Sequence, residues 1–140
     1  LRFPQLKPIN PVRLKAPGIT CVPELEIEVS VQIVDWPRTY SVKDRYTRAF
    51  NMKVLSQPLF VRNRCPGDRF RPSGMKGRKK LKDFFIDEKI IPADRDSIPI
   101  VLSGEEIIWV AGYRTGEGTE VSLHDKSAVL ITVKKYSRHK

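Results

Sequence analysis

Two cysteines and two histidines among 140 residues leave little from which to build a metal centre. Cys21 and Cys65 are far apart, and neither His124 nor His139 stands at ligand-type spacing from them, so no zinc site is assigned. A single disulfide is chemically open, but no charged-then-apolar signal peptide opens the chain. Both thiols therefore read as reduced, and a cytoplasmic location is expected. No apolar run approaches bilayer-spanning length, which removes a membrane partner from consideration. There is no internal repeat. No Ser-His-Asp or Cys-His grouping emerges. Glu24, Glu26 and Glu28 read as solubilising charge, while Asp83, Asp87, Glu88, Asp94 and Asp96 are interspersed with Lys89 and Arg95. No catalytic residue is predicted. Hydrophobic residues at 40% against 30% charged describe a globular chain rather than a disordered one. The chain starts at Leu1 rather than Met, which suggests a piece of something longer.

Acidic side chains are scarce too, 16 against 26 Lys and Arg, for a formal charge of +10. The surplus is not spread out. Residues 62–82 hold nine cations (Arg62, Arg64, Arg69, Arg71, Lys76, Arg78, Lys79, Lys80 and Lys82) against the lone carboxylate of Asp68. Eight of the ten surplus charges thus sit in this one segment, and the rest of the chain is near neutral. A positive field so confined points first to nucleic-acid phosphate, with all nine cations as candidate contacts. Within the segment, Gly74 and Gly77 lie three apart and would let backbone approach a phosphate unhindered. The spacing echoes the GXXG clamp of KH domains, and no Gly-Lys-Ser/Thr follows to make it a Walker A loop. Phe70 has two readings, a stacking platform for a base or a core aromatic beside a turn, with the core reading preferred. Asp68 is expected to pair with a neighbouring Arg or to accept turn amides.

The pattern predicts a strand-rich α+β domain. Residues 1–18, rich in proline, read as an extended lead-in, 19–134 as a single β-rich domain, and 135–140 as a tail. Leu25–Val34 alternates with period two, placing Leu25, Ile27, Val29, Val31 and Ile33 on one face of a strand. Residues 38–48 are left unassigned. Ala49–Leu55 and Leu59–Asn63 read as strands, with Cys65-Pro66-Gly67-Asp68 a turn. Lys79–Lys89 reads as a helix with an apolar stripe of Leu81, Phe84, Phe85, Ile86 and Ile90, stopped by Pro92. Cations crowd the start of that helix where acidic residues are preferred, which suits an anion bound at its N-terminus. Ile98–Leu102 and Ile107–Val110 form a hairpin, and Ala128–Val133 a last strand.

A run of residues carries a resemblance: Pro58-Leu59, Val61-Arg62, Pro66-Gly67-Asp68-Arg69-Phe70, Pro72, Gly74-Met75, Gly77 and Lys80-Leu81-Lys82-Asp83. Phe85 to Ile90 with Pro92, then Arg95, Ile98-Pro99, Glu106 to Val110 and Gly112-Tyr113-Arg114 extend it, as do Ala16-Pro17-Gly18 and Pro23-Glu24 upstream. From about residue 16 to 134 the chain resembles the C-terminal domain of tRNA(Ile)-lysidine synthetase. Asn51 departs from it, since an aspartate is expected after Ala49-Phe50. The resemblance implies a layered β-sandwich-like fold similar to one in the phenylalanyl-tRNA synthetase β-subunit. It also implies membership of an ATP-dependent ligase that joins lysine to the wobble cytidine of tRNA(Ile) with a CAU anticodon. ATP with magnesium, and lysine, are used by that family's N-terminal catalytic domain through a Ser-Gly-Gly-x-Asp-Ser loop, and this chain has no Ser-Gly-Gly. The implied role of this segment is to grip tRNA at the acceptor stem without catalysing the reaction, its partners being that tRNA and the N-terminal domain. Lys79, Lys80, Lys82, Arg69, Arg71 and Arg78 are expected to carry most of the grip. A general nucleic-acid-binding module, or a domain that docks on an acidic partner without touching RNA, are the alternatives.

Overall fold

The computed structural model describes residues 7–37 and 44–136. In chain order they form β1 (Val12–Arg13), β2 (Gly18–Val22), β3 (Ile27–Asp35), β4 (Thr47–Phe50), β5 (Leu59–Arg62), β6 (Arg69–Phe70) and β7 (Lys79–Lys80). Then follow α1 (Leu81–Asp87), α2 (Pro92–Arg95), β8 (Ile100–Ser103), β9 (Glu106–Val110), β10 (Arg114–Thr115) and β11 (Ser127–Lys135). The strands assemble into a four-stranded sheet ordered β2-β3-β11-β4, a five-stranded sheet ordered β1-β5-β8-β9-β10, and a ribbon of β6 and β7. Every pairing is antiparallel. Among the described residues, no helix is long and apolar enough to cross a membrane.

Three layers follow from where the side chains go. Val29, Val31, Phe50, Val129 and Ile131 of the four-stranded sheet meet Leu59, Val61, Val101, Ile108 and Trp109 of the five-stranded sheet in one core. The other face of the five-stranded sheet offers Ile100, Leu102, Ile107 and Val110 to a second core made with Phe70, Leu81, Phe84, Phe85 and Ile90. The five-stranded sheet is therefore covered on both sides, which is why Ile98–Leu102 and Ile107–Ala111 read as nearly unbroken apolar runs. A bulge adjusts the register. Val101 pairs with Trp109 and Leu102 with Ile107, so Ile108 is the extra residue and joins Trp109 in the first core.

The strand-rich layered class agrees with the sequence, but several boundaries differ from it. β3 starts at Ile27, because Pro23–Leu25 is a 3₁₀ turn ended by Glu26 in the left-handed region (φ 56°). Its alternation also fails at Ile33, which is 46% exposed. The predicted strand Ala49–Leu55 is really the end of β4 followed by a 3₁₀ turn over Met52–Ser56. Asn51 causes the switch: its Oδ1 accepts the Lys53 amide while its Nδ2 donates to the carbonyls of Gly118 and Glu120. An aspartate in its place would have no proton for those carbonyls. Pro92 stands within the first turn of α2 rather than merely stopping α1, where its fixed φ is suited. The lead-in is not only extended chain: β1 pairs with β5 and Leu14 is buried. Lys134 and Lys135 belong to β11, and the Tyr136 amide still bonds the Glu26 carbonyl. Residues 1–6 of the lead-in and 137–140 of the tail lie outside the described residues.

Candidate nucleic-acid interface

The helix expected from Lys79 begins only at Leu81 and runs seven residues. Lys79 and Lys80 are instead the strand β7, with Phe70 opposite Lys79 and Arg69 opposite Lys80. The Leu81 amide, first in the helix, donates to the Asp68 carbonyl. The helix end thus lies two residues further on than expected, and a two-stranded ribbon precedes it. Period-two alternation then gives the ribbon two faces. Phe70, fully buried, packs edge-on against Phe84 with ring centres 5.2 Å apart, so the core reading of this aromatic holds. Ile86 drops out of the predicted apolar stripe and is exposed. Arg69 and Lys80 take the other face, exposed to solvent.

Carboxylates sort the nine cations into two groups. Arg62 makes a forked contact to Asp68 at 2.9 and 3.0 Å, both side chains nearly buried, while the Cys65 amide donates to the same carboxylate at 2.7 Å. Both expectations for Asp68 are met at once. The Arg64 Nε donates to Asp96 at 2.7 Å, with its guanidinium 5.9 Å from the centre of the Phe85 ring. Arg78 reaches Glu106 at 3.3 Å, and Lys79 pairs with Asp87; both contacts are open to water. Open pairs of this kind contribute little and yield readily to a stronger anion. Arg69, Arg71, Lys76, Lys80 and Lys82 are exposed and, among the described residues, have no carboxylate within ion-pair distance. The five are the available charge.

Arg69 and Lys80 stand out among these five. Like charges facing each other across an antiparallel ladder destabilise it by about 0.2–1 kcal/mol, and no internal carboxylate relieves this pair. Lys82, one residue into α1, lies beside the same cavity as Arg69 and Lys80, a concavity of about 690 Å³. An anion placed there would be met by three cations at once.

The loop from Arg71 to Arg78 carries the remaining free cations, Arg71 and Lys76. Its two glycines adopt left-handed conformations, Gly74 at φ 81° and Gly77 at φ 79°, and neither has a neighbour where a side chain would project. The loop is fastened along the segment after β9. The Ser73 amide donates to the Thr115 carbonyl, the Glu117 amide to the Arg71 carbonyl, and the Arg114 guanidinium to the Ser73 carbonyl. The Gly74 amide itself donates to the Glu117 carboxylate at 2.9 Å. The glycine loop therefore already holds an anion of its own at one of the two positions where a backbone clamp was expected. Sequence reasoning missed the partnerships of Glu117, Asp96 and Glu106, which lie far along the chain from Gly74, Arg64 and Arg78, and that of Asp87, which reaches Lys79 from the last residue of α1. Cys21 and Cys65 are both free thiols, and among the described residues no cluster of three or more His, Cys, Asp or Glu is placed to hold a metal.

A protein-family model described as the TilS substrate C-terminal domain matches residues 59–131, more than half of the chain. The chain belongs to that family. The matched span runs from β5 into β11 and so contains the whole cationic ribbon and its loop. Curated relatives of the TilS C-terminal family include the tRNA(Ile)-lysidine synthase of Caldanaerobacter subterraneus subsp. tengcongensis, 40% identical over 126 residues, or 89% of this chain and 26% of that protein. The proteins of the same name from Clostridium tetani and Dehalococcoides mccartyi are 41% identical over 91 residues and 48% over 81. Those matches cover 65% and 58% of this chain but 20% and 17% of the relatives, so the chain spans about a quarter or less of the length of the three. A solved structure described as the crystal structure of TILS C-terminal domain superposes with a TM-score of 0.74 at 27% identity, covering 94% of this chain and 99% of that one. The layered, strand-rich architecture is that of the TilS C-terminal family.

Proposed function

We propose that this chain is the RNA-gripping part of a tRNA(Ile)-lysidine synthase, holding tRNA(Ile) with a CAU anticodon by the backbone of its acceptor stem. The observation that carries this is the pair Arg69 and Lys80, opposed across the ribbon without a carboxylate and joined by Lys82 at one cavity. A-form RNA offers side chains its phosphates, its 2′-hydroxyls and a shallow minor groove, and exposed cations on a rigid ribbon suit that target better than a base-reading slot. On this reading the ATP, magnesium and lysine chemistry of the ligase belongs to an N-terminal catalytic domain and not to this segment. That domain is, on the same reading, a partner within the same polypeptide, and the working location is the cytoplasm.

Salt dependence tests the reading. If the five free cations each neutralise one phosphate, log affinity falls against log salt with a slope of about −4. The variant Arg69→Gln/Lys80→Gln/Lys82→Gln should bring the slope to about −2 and weaken tRNA binding strongly at moderate salt. Undiminished affinity in that variant refutes the assignment. A DNA duplex of matched length that competes equally with tRNA makes the domain a general nucleic-acid binder.

A further inference from the structure

The geometry points to the cavity beside the ribbon as a receptor for one unpaired nucleotide of the bound RNA, an inference that rests on the RNA-binding reading above. Its volume of about 690 Å³ falls within the ~300–1,000 Å³ typical of small-molecule sites. An intact A-form duplex presents a convex surface and leaves such a hollow empty; a nucleotide that has left the stack fills it. The walls supply the phosphate and the base ring of a nucleotide with partners. Arg69, Lys80 and Lys82 gather at the cavity with charge to spare, which suits a phosphate. Arg64 lines the same space, and its orientation is held between Asp96 and the Phe85 ring. A guanidinium plane held in this way is a stacking surface for a base, the mode by which unpaired RNA bases are commonly received. Pro66 and Leu81 add apolar wall. The two acidic residues of the lining, Asp68 and Asp96, are already engaged by Arg62 and Arg64, so they do not repel the phosphate as free carboxylates would. The sugar edge and the identity of the base are left unread by this lining, so the site takes a nucleotide by its phosphate and its ring rather than by sequence.

The test compares a blunt RNA duplex with the same duplex extended by one 3′ nucleotide, using fluorescence anisotropy and the full chain carrying Cys21→Ser. The overhang should tighten binding roughly five- to tenfold, the scale of one stacked base. Alkylating Cys65, which lines the cavity, with N-ethylmaleimide should erase that gain and leave blunt-duplex binding in place. Arg64→Met should do the same, and an RNA whose terminal nucleotide carries a pyridyl disulfide should exchange with the Cys65 thiol, forming the RNA–Cys65 disulfide and releasing thiopyridone. Equal affinity for the two RNAs overturns the inference while sparing the RNA-binding reading. Failure of both RNAs to bind at low salt overturns the reading itself. A gain that survives alkylation puts the nucleotide elsewhere, and micromolar ATP competing away only the gain makes this a free-nucleotide site; either result overturns the inference.

Discussion

Arg62 has the charge of a phosphate contact and the surroundings of a structural strut, and the two roles separate experimentally. Its side chain is 12% exposed, that of Asp68 10%, and the two meet through parallel contacts of 2.9 and 3.0 Å. The same guanidinium donates to the Asn63 carbonyl, closing the end of β5. In Arg62→Met the carboxylate keeps only the Cys65 amide and stays nearly buried beside the ribbon. Removing one partner of a buried pair costs about 3–5 kcal/mol, and the slight exposure of this pair favours the lower half of that range. For a domain of this size each kcal/mol moves the melting temperature by about 3–4 °C, so a fall of about 10–14 °C is expected by thermal unfolding. Arg62→Met/Asp68→Asn should recover at least about 1 kcal/mol of the loss, since neighbouring pairs are non-additive by that order. At a temperature where Arg62→Met is fully folded, its tRNA affinity and salt slope should match the parent. A melting shift under about 3 °C, or a shallower salt slope, refutes the structural assignment and returns Arg62 to the binding set.

Lys80→Gln should act in the opposite sense, stabilising the fold by about 0.2–1 kcal/mol through relief of the Arg69–Lys80 repulsion while weakening RNA binding; denaturant unfolding that shows a loss of stability refutes the cross-strand argument. Asn51→Asp loses two donated hydrogen bonds, to Gly118 and Glu120, and should cost about 1–2 kcal/mol in urea midpoint analysis at constant slope. Gly116→Ala sets a methyl group 2.8 Å from the Ile107 carbonyl oxygen, on the segment that fastens the Arg71–Arg78 loop. It should cost about 1–3 kcal/mol and raise hydrogen exchange at the amides of Ser73 and Glu117; unchanged exchange there would show that the loop is not held from this side.

The strands with strong local pattern were readable from the chain alone. β5, the β8–β9 hairpin and most of β3 and β11 announce themselves by apolar alternation or apolar runs between turn residues. The basic block was readable as a block. Its division was not, because the carboxylates that neutralise Arg64, Arg78 and Lys79 come from α1, from β9 and from the turn after α2. The helix start failed for a related reason. Lys79-Lys80 precedes an amphipathic stretch and looks helical locally, while the partner that makes it a strand is Arg69-Phe70, across a loop. At Met52–Ser56, Val54 and Leu55 imitate a strand, and only the bonding of Asn51 to a distant segment reveals the tighter turn. Pattern reports on nearest neighbours; these misreadings all depended on a contact made by another part of the chain.

Ile100, Val101 and Leu102 send successive side chains into opposite cores, so the two hydrophobic interiors share one wall. Neither interior is a separable unit, and Phe70 ties the cationic ribbon to one of them from behind. The surface proposed to meet RNA is accordingly not an appendage to the fold but part of its second core. Its backbone is anchored by Phe70 before any encounter, so the ordering cost of binding falls on the exposed Arg and Lys side chains. Whatever binds the ribbon braces the entire domain against unfolding, by about 2.7 kcal/mol at a hundredfold excess over its dissociation constant.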